Sequence, residues 1–424
     1  MLNQIESEGR IANPAEQETL AQYVGWGGLA DAFDETKSNW ASEYAELKAL
    51  LTPEGYKMAR ESTLNAHYTS PTVIRSMYHA LENMGFSKGN VLEPSMGIGN
   101  FFGMMPPTME HSRLYGVELD DITGRIAKQL YPQADVQIKG FEKTDYPNDF
   151  FDVAIGNVPF GQYKVADKQY DKNNFLIHDY FFAKALDKVR PGGVVAFITS
   201  KGTMDKASPE VRKYLAQRAD LLGAVRLPNT AFKANAGTEV TSDILFFQKR
   251  DRLMDIQPDW VHLAENEDGI TMNSYFADHP EQVVGKMAMV SGPFGMESTC
   301  QPDESRPFEE QLKEAIGRIT GHIEEVELSD LEEEMQIETI PADPNVKNFS
   351  YTVVDNQVYY RENSVMRPVD VADTMAERIK GMVSIRDCPR KLIDAQLANH
   401  DEDEITALQQ ELNLLYDRFT KKYG

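Results

Sequence analysis

The chain has 424 residues, of which 41% are hydrophobic and 26% charged, so its composition is that of a globular protein and excludes a collagen-like or wholly disordered chain. The formal net charge of -24 argues against a nucleic-acid partner, but residues 1–250 carry only -4 of it and residues 251–424 carry -20. Two cysteines without a Cys-x-x-Cys pair exclude a disulfide framework and a zinc site built on such a pair, and no signal peptide or apolar membrane span is present, so we expect a cytoplasmic protein with no membrane partner.

Residues 1–65 are predicted to form a helical N-terminal segment. Apolar residues recur at three- and four-residue spacing in 16–24, 40–51 and 53–62. The turn Gly25-Trp26-Gly27-Gly28 interrupts this pattern, and Trp26 is expected to pack against other side chains.

From Asn90 onward, short apolar runs alternate with helical stretches. This alternation predicts a mixed, mostly parallel sheet covered by helices on both faces, which is an α/β fold. The predicted strands are 90–92, 114–117, 136–138, 153–155, 194–198, 221–225 and 244–248.

Beyond Arg250 the pattern loosens. Residues 251–345 are predicted to be an acidic linker or extension. Within it, residues 297–345 combine acidic residues with several prolines, which predicts either a solvated helix with flexible flanks or a partly disordered linker. Residues 346–424 are predicted to form a β-hairpin with its turn at Asp355-Asn356, followed by two helices over 371–397 and 404–422, so the C-terminal extension is rich in α-helix.

Two signals point to a nucleotide-like ligand. The run Glu93-Pro94-Ser95-Met96-Gly97-Ile98-Gly99-Asn100-Phe101 places a glycine turn directly after a strand, where open α/β sheets bind ligands. About twenty residues later Glu118 ends the next strand, where a carboxylate can accept hydrogen bonds from both hydroxyls of a ribose. Asp120 is the alternative, and both acids can instead cap the following helix.

A third signal, Asn157-Val158-Pro159-Phe160, follows another buried strand. The side-chain oxygen of Asn157 and the carbonyl of Val158 can each accept a hydrogen from an amino group. Pro159 stiffens the loop, and Phe160 offers a flat face on which a flipped base can stack.

These motifs resemble those of S-adenosylmethionine-dependent DNA methyltransferases that modify the N6 amino group of adenine. Pro94 to Phe101 is similar to the cofactor motif of that family, and residues 157–160 are similar to its Asn-Pro-Pro-Tyr/Phe loop, with Val158 where the family usually has proline. The resemblance covers roughly residues 60–250 and implies a Rossmann-like class I methyltransferase domain over residues 66–250. It also implies direct methyl transfer to adenine in DNA, with S-adenosylmethionine as cofactor and no metal.

The resemblance extends to further positions. Tyr68 and Thr69 resemble the segment that closes over the methionine end of the cofactor, and their place before the glycine motif gives the gamma order of motifs. Phe141 and Glu142, or nearby Asp145, would lie beside the adenine of the cofactor. Phe232, in a stretch that resembles the hairpin region of type I modification subunits, would form the second face of an aromatic sandwich around the target base.

The chain is also similar to the methyltransferase part of large helicase–methyltransferase proteins of bacterial mobile elements, which implies a helicase region missing from this chain. Two alternatives stay open. One is a methyltransferase that acts on protein glutamine or on an RNA base, and the acidic C-terminal part favours it. The other is an inactive cofactor-binding scaffold.

Overall fold

The computed structural model describes residues 1–27, 29–63, 69–232, 240–292, 295–324, 340–341, 343, 346–347, 349–362, 365–397 and 402–423. The chain divides into two compact units, Met1–Val326 and Glu327–Gly424. Within the described ranges, every helix is too short or too polar to cross a membrane.

A mostly parallel sheet forms the centre of the first unit. In its described residues the strand order is β3-β2-β1-β4-β5-β7-β6, and β7 runs antiparallel to both of its neighbours. Each predicted strand falls within one of these strands, so the predicted α/β fold is confirmed. The strands are β1 (Asn90–Glu93), β2 (Arg113–Glu118), β3 (Asp135–Ile138), β4 (Phe151–Asn157), β5 (Val189–Ser200), β6 (Ala219–Leu227) and β7 (Ser242–Lys249).

The order of strands reverses between β1 and β4. These two strands are parallel neighbours, with Val91 opposite Val153 and Leu92 opposite Ala154. From β1 the chain continues to β2 on one side, whereas β4 is followed by β5 on the other side. The carboxyl ends of β1 and β4 therefore flank the switch point at which open α/β sheets bind ligands.

Several helices of the first unit begin at a residue whose side chain caps the first turn. Ser70 accepts a hydrogen bond from the Val73 amide at the start of α5, which Pro71 opens, and Asp120 accepts one from the Thr123 amide at the start of α7. The helices are α1 (Leu2–Ser7), α2 (Pro14–Leu20), α3 (Ala41–Leu50), α4 (Pro53–Ser62), α5 (Pro71–Asn83), α6 (Asn100–Gly103), α7 (Asp121–Leu130), α8 (Ile177–Lys188), α9 (Gly202–Asp205), α10 (Glu210–Ala216), α11 (Ser274–Asp278) and α12 (Phe308–Ile316).

A buried ion pair joins β6 to β7. Arg226 and Asp243 lie directly opposite each other in the ladder and both are fully buried. Arg226 Nε lies 2.8 Å from Asp243 Oδ1, and Arg226 Nη2 lies 2.9 Å from Asp243 Oδ2, so the pair is bidentate. Asp205 accepts a further bond of 2.9 Å from the same guanidinium group.

Residues 251–292 and 295–324 of the predicted acidic extension are folded, so the alternative of a partly disordered linker is wrong for residues 297–324. Two antiparallel pairs occur there, β8 (Leu263–Glu265) with β9 (Thr271–Asn273), and β10 (Lys286–Gly292) with β11 (Gly295–Gln301). Helix α12 buries Leu312, Ala315 and Ile316 in the main hydrophobic core. The acidic residues of this helix lie on its exposed face. The helix is therefore amphipathic, although the segment as a whole is strongly acidic.

The second unit contains a small antiparallel sheet and two long helices. The predicted hairpin is present, and Asp355 and Asn356 have φ values of 49° and 65°, as a two-residue type I′ turn requires. The elements are β12 (Ile340–Pro341), β13 (Tyr351–Val354), β14 (Gln357–Glu362), β15 (Val365–Pro368), α13 (Asp373–Leu397) and α14 (Glu402–Tyr423).

Candidate active site

A cleft of about 620 Å³ opens at the carboxyl ends of β1, β2 and β4. Its volume lies within the roughly 300–1,000 Å³ of small-molecule sites. Nine of the residues predicted for cofactor binding or catalysis line it: Thr69, Glu93, Pro94, Gly97, Phe101, Glu118, Glu142, Asn157 and Pro159. The glycine turn and the Asn157 loop therefore share one cleft, as the sequence motifs require.

The glycine turn has the backbone that its residues predict. Gly97 and Gly99 have φ values of 57° and 89°, in the left-handed region that side chains rarely adopt. A Cβ atom at Gly97 would meet nothing within 4 Å, so the backbone borders open space. At Gly99, which starts α6, a Cβ atom would come within 2.5 Å of the Tyr131 ring.

Glu118 ties the glycine turn to the end of β2. One carboxylate oxygen accepts a hydrogen bond of 2.8 Å from the Gly97 amide, and the other accepts one of 2.8 Å from the Asp120 amide. Asp120 accepts a hydrogen bond from the Thr123 amide and so caps α7. The two acids therefore have different roles, because Glu118 lines the cleft and does not cap a helix. Burial raises the pKa of Glu118 from 4.5 to about 7.

Glu93 is a buried acid in the wall of the cleft, only 2% exposed. Its Oε2 atom makes no hydrogen bond to any described residue. Burial, together with the negative charge of Glu118, raises the pKa of Glu93 well above 4.5. A buried carboxyl oxygen of this kind suits a cationic or hydrogen-bond-donating ligand, because such a partner offsets the cost of burial.

Asn157 ends β4 and contacts the segment before α5. Its Nδ2 atom donates a hydrogen bond of 3.2 Å to Oγ1 of Thr69, a buried residue that also lines the cleft. This bond orients the amide group, whose Oδ1 is the side-chain atom that can accept a hydrogen from an amino group. Tyr68, predicted beside Thr69, lies outside the described residues.

The rest of the loop departs from the expected arrangement in one respect. The Val158 amide donates a hydrogen bond of 3.1 Å to the carbonyl of Ile198 in β5. The proline that usually stands here in the family has no amide hydrogen and could not make this bond, although it would restrain φ. Valine therefore adds one hydrogen bond between β4 and β5. Pro159 lines the cleft, whereas Phe160 is half-buried in the same loop and is not among the described lining residues.

Phe232 does not occupy the position expected for it. It is only 2% exposed and packs in the main core cluster with Val225, Leu227 and Ile244. A ring enclosed in this way is not available to a base, which corrects the predicted aromatic sandwich. Its burial comes from contacts between β6, β7 and the loop after β6, which a single apolar letter does not reveal.

Three aromatic residues of the cleft were not predicted as site residues. They are Trp26 from the N-terminal segment, Tyr163 from the loop after Asn157 and Phe181 from α8. Tyr163 is 40% exposed. Its position, six residues after Asn157, is the feature of the sequence from which it could have been predicted as a site residue. Trp26 and Phe181 have the spacing of packing residues, so sequence alone does not distinguish them.

The cleft fits S-adenosylmethionine by its chemistry. Four carboxylic acids line it, namely Glu93, Glu118, Asp120 and Glu142, against a cofactor that carries an ammonium and a sulfonium charge. Glu118 has lone pairs left for ribose hydroxyls beyond its two backbone bonds. Aromatic rings in the same wall, including Phe141 and Phe181, suit an adenine.

Parts of the chain are similar to known proteins. Residues 110–232 match the family described as Eco57I restriction-modification methylase. The chain is 32% identical over 261 residues to Defense against restriction protein B of Escherichia phage P1, which covers 60% of this chain and 10% of that protein. It is 27% identical over 200 residues to the rRNA N(6)-adenosine-methyltransferase metl-5 of Caenorhabditis elegans, covering 44% of this chain and 89% of that protein.

Among solved structures, the methyltransferase subunit of a type I restriction-modification system from Streptococcus thermophilus aligns with a TM-score of 0.38 and 14% identity. That alignment covers 67% of this chain and 68% of the subunit. The family match spans the Asn157 loop, and the glycine turn that it does not reach lies in the same cleft. Residues 110–232 are therefore similar to a restriction-modification methylase, and the cleft that they share with the glycine turn suits S-adenosylmethionine.

Proposed function

We propose that this chain transfers a methyl group from S-adenosylmethionine to the N6 amino group of adenine in DNA. The proposal rests on the position of Asn157. This residue ends β4 and lines the same cleft as the glycine turn, and its amide nitrogen donates a hydrogen bond to Thr69. The similarity to a phage protein named for defence against restriction supports DNA as the substrate.

The bound cofactor supplies an electrophilic methyl group, and the residues of the chain supply alignment and hydrogen-bond acceptors. An exocyclic amino group is a poor nucleophile, because its lone pair is delocalised into the ring. Asn157 Oδ1 and the Val158 carbonyl accept its two hydrogens and so favour a pyramidal nitrogen. Holding two reactants in attack geometry can lower a barrier by as much as roughly 7–11 kcal/mol.

The target base must leave the duplex to reach Asn157, at a cost of a few kcal/mol. Phe160, half-buried in the same loop, and Tyr163, which lines the cleft, are the aromatic residues nearest in sequence to Asn157 that can stack on it. With Phe232 enclosed in the core, Tyr163 is the better candidate for a second ring.

The experiment compares acceptors and variants with labelled S-adenosylmethionine. Unmethylated genomic DNA, RNA and a protein extract are each incubated with the chain, and labelled products are identified by mass spectrometry of nucleosides and peptides. We expect N6-methyldeoxyadenosine from DNA. Asn157→Ala should abolish transfer while it retains cofactor binding in calorimetry, and Asn173→Ala, outside the cleft, should retain both.

The other outcomes identify the alternatives. Transfer to RNA alone would favour a base in RNA, the alternative that the similarity to the metl-5 protein supports. Labelled protein would favour glutamine. Cofactor binding without transfer to any acceptor would indicate a scaffold, and full turnover by Asn157→Ala would remove Asn157 from the proposed role.

A further inference from the structure

The turn after α2 brings an indole ring to the cleft from outside the sheet. Gly25, with a φ of 68°, and Trp26 both line the cleft together with Glu118 and Asp120. We propose that Trp26 is a cofactor-binding residue whose ring packs against bound S-adenosylmethionine, which makes the N-terminal segment an integral part of the cofactor site.

The N-terminal helices are attached to the glycine turn itself. Ile5, Ala12 and Leu20 form a hydrophobic cluster with Ile126 of α7 and with Ile98, which lies between Gly97 and Gly99. The segment before Trp26 is thus packed on the element that shapes the cofactor site, and it is not a separate module of the first unit.

Polar contacts fix the same arrangement. Arg125 Nε donates a hydrogen bond of 2.9 Å to Glu6 Oε1, and the side chain and carbonyl of Gln129 accept bonds from the Ala12 amide at 2.9 Å and from Gln17 Nε2 at 2.8 Å. These bonds join α1, α2 and their connection to α7. Because Glu118 and Asp120 immediately precede α7, the position of the segment is fixed relative to the carboxylates of the cleft.

Aromatic contacts hold Trp26 in its place. Its ring makes edge contacts with Tyr23 and Phe33, at centroid distances of 6.3 and 5.4 Å. Tyr23 lies near Asp120, and burial together with the Asp120 carboxylate raises the pKa of the Tyr23 hydroxyl. Trp26 is therefore a positioned ring in the cleft wall on the side of Asp120.

The chemistry of the ring suits this ligand. A tryptophan face is a large apolar surface with a negative quadrupole, so it can stack on an adenine ring or attract a cationic sulfonium. Trp40 packs, like Trp26, against the hydrophobic cluster formed by Ala32, Phe33 and Ala59, but it does not line the cleft. The chain thus supplies a matched control for a substitution at Trp26.

Tryptophan fluorescence tests the contact without any methyl acceptor. The chain has three tryptophans, Trp26, Trp40 and Trp260. We expect the emission to change when S-adenosylmethionine is titrated into the wild type and into Trp40→Phe, and to stay constant in Trp26→Phe even though calorimetry still detects binding. An undiminished change in Trp26→Phe would overturn the proposal.

Affinity provides a second measurement. Trp26→Ala should weaken binding of S-adenosylmethionine in calorimetry by about tenfold or more, whereas Trp40→Ala should stay within about twofold of wild type, at equal melting temperatures by circular dichroism. Equal affinities of Trp26→Ala and wild type would also overturn the proposal. If Trp26→Ala does not fold, the fluorescence of Trp26→Phe decides. Neither assay contains nucleic acid, so a failed search for methylated adenine leaves this test unaffected.

Discussion

Replacing Thr69 by valine tests how Asn157 is held. Thr69 is 6% exposed, and its Oγ1 accepts the 3.2 Å hydrogen bond from Asn157 Nδ2. Valine has the shape of threonine without the hydroxyl group, so the substitution removes this bond and leaves the volume of the site almost unchanged. The amide of Asn157 then loses a contact that orients it and thereby positions Oδ1, its acceptor atom.

The size of the effect follows from the energy of one hydrogen bond. Such a bond contributes roughly 0.5–1.5 kcal/mol, and 1.36 kcal/mol corresponds to a tenfold change in rate. We therefore expect kcat of Thr69→Val to fall by about 2- to 13-fold. Thr69→Ser retains the hydroxyl group and should recover most of the rate.

The assay is single-turnover methyl transfer at saturating S-adenosylmethionine, with the acceptor that the product analysis identifies. Calorimetry measures cofactor affinity in parallel, because Thr69 also lines the cleft. A positioning role requires kcat to fall more than affinity does. The reasoning would be refuted if Thr69→Val turned over at the wild-type rate, or if Thr69→Ser were as slow as Thr69→Val.

Three further predictions concern single residues. The pKa of Glu118 rises from 4.5 to about 7 on folding, so the folded protein binds more protons than the unfolded chain between these pH values, and the free energy of unfolding should fall as pH rises from about 4.5 to 7. Urea unfolding should show a shallower fall for Glu118→Gln than for the wild type. Identical pH profiles would contradict the raised pKa of Glu118. Val158→Pro removes the donor to the Ile198 carbonyl and should reduce the free energy of unfolding by about 1–3 kcal/mol without raising kcat. A faster and equally stable variant would show that valine at this position lowers the activity. Phe232→Leu removes buried carbon atoms and should reduce the free energy of unfolding by about 1–3 kcal/mol, while kcat and the KM for DNA stay unchanged. A KM for DNA raised well above the wild-type value would restore Phe232 to the base site.

The sheet and the two motif loops could be predicted from sequence because their signals are local. Apolar runs identified all the strands from β1 to β7, and glycine after β1 and asparagine after β4 identified their carboxyl ends. Parallel neighbours bring such ends together, so chain order and fold class were enough to place Gly97 and Asn157 in one cleft.

The remaining features depend on contacts between distant parts of the chain. Phe232 and Trp26 are both aromatic residues near glycine-containing turns, yet packing encloses Phe232 and brings Trp26 to the cleft. The hairpin of β10 and β11 was not predicted, because its strands are partly exposed on both faces and lack a clear alternation. Hydrogen bonds between residues distant in sequence join β11 to the loop after β6. In one of them the Asn229 amide donates to the Cys300 carbonyl at 2.7 Å.

The ion pair between Arg226 and Asp243 has a consequence for how β6 and β7 align during folding. A shift of one residue turns every side chain of a strand to the opposite face. Here such a slip would separate the two charges and leave each one unpaired in an apolar interior, at a cost of about 3–5 kcal/mol for a broken pair. The pair thus selects one alignment of the antiparallel edge from several that the apolar residues alone would tolerate.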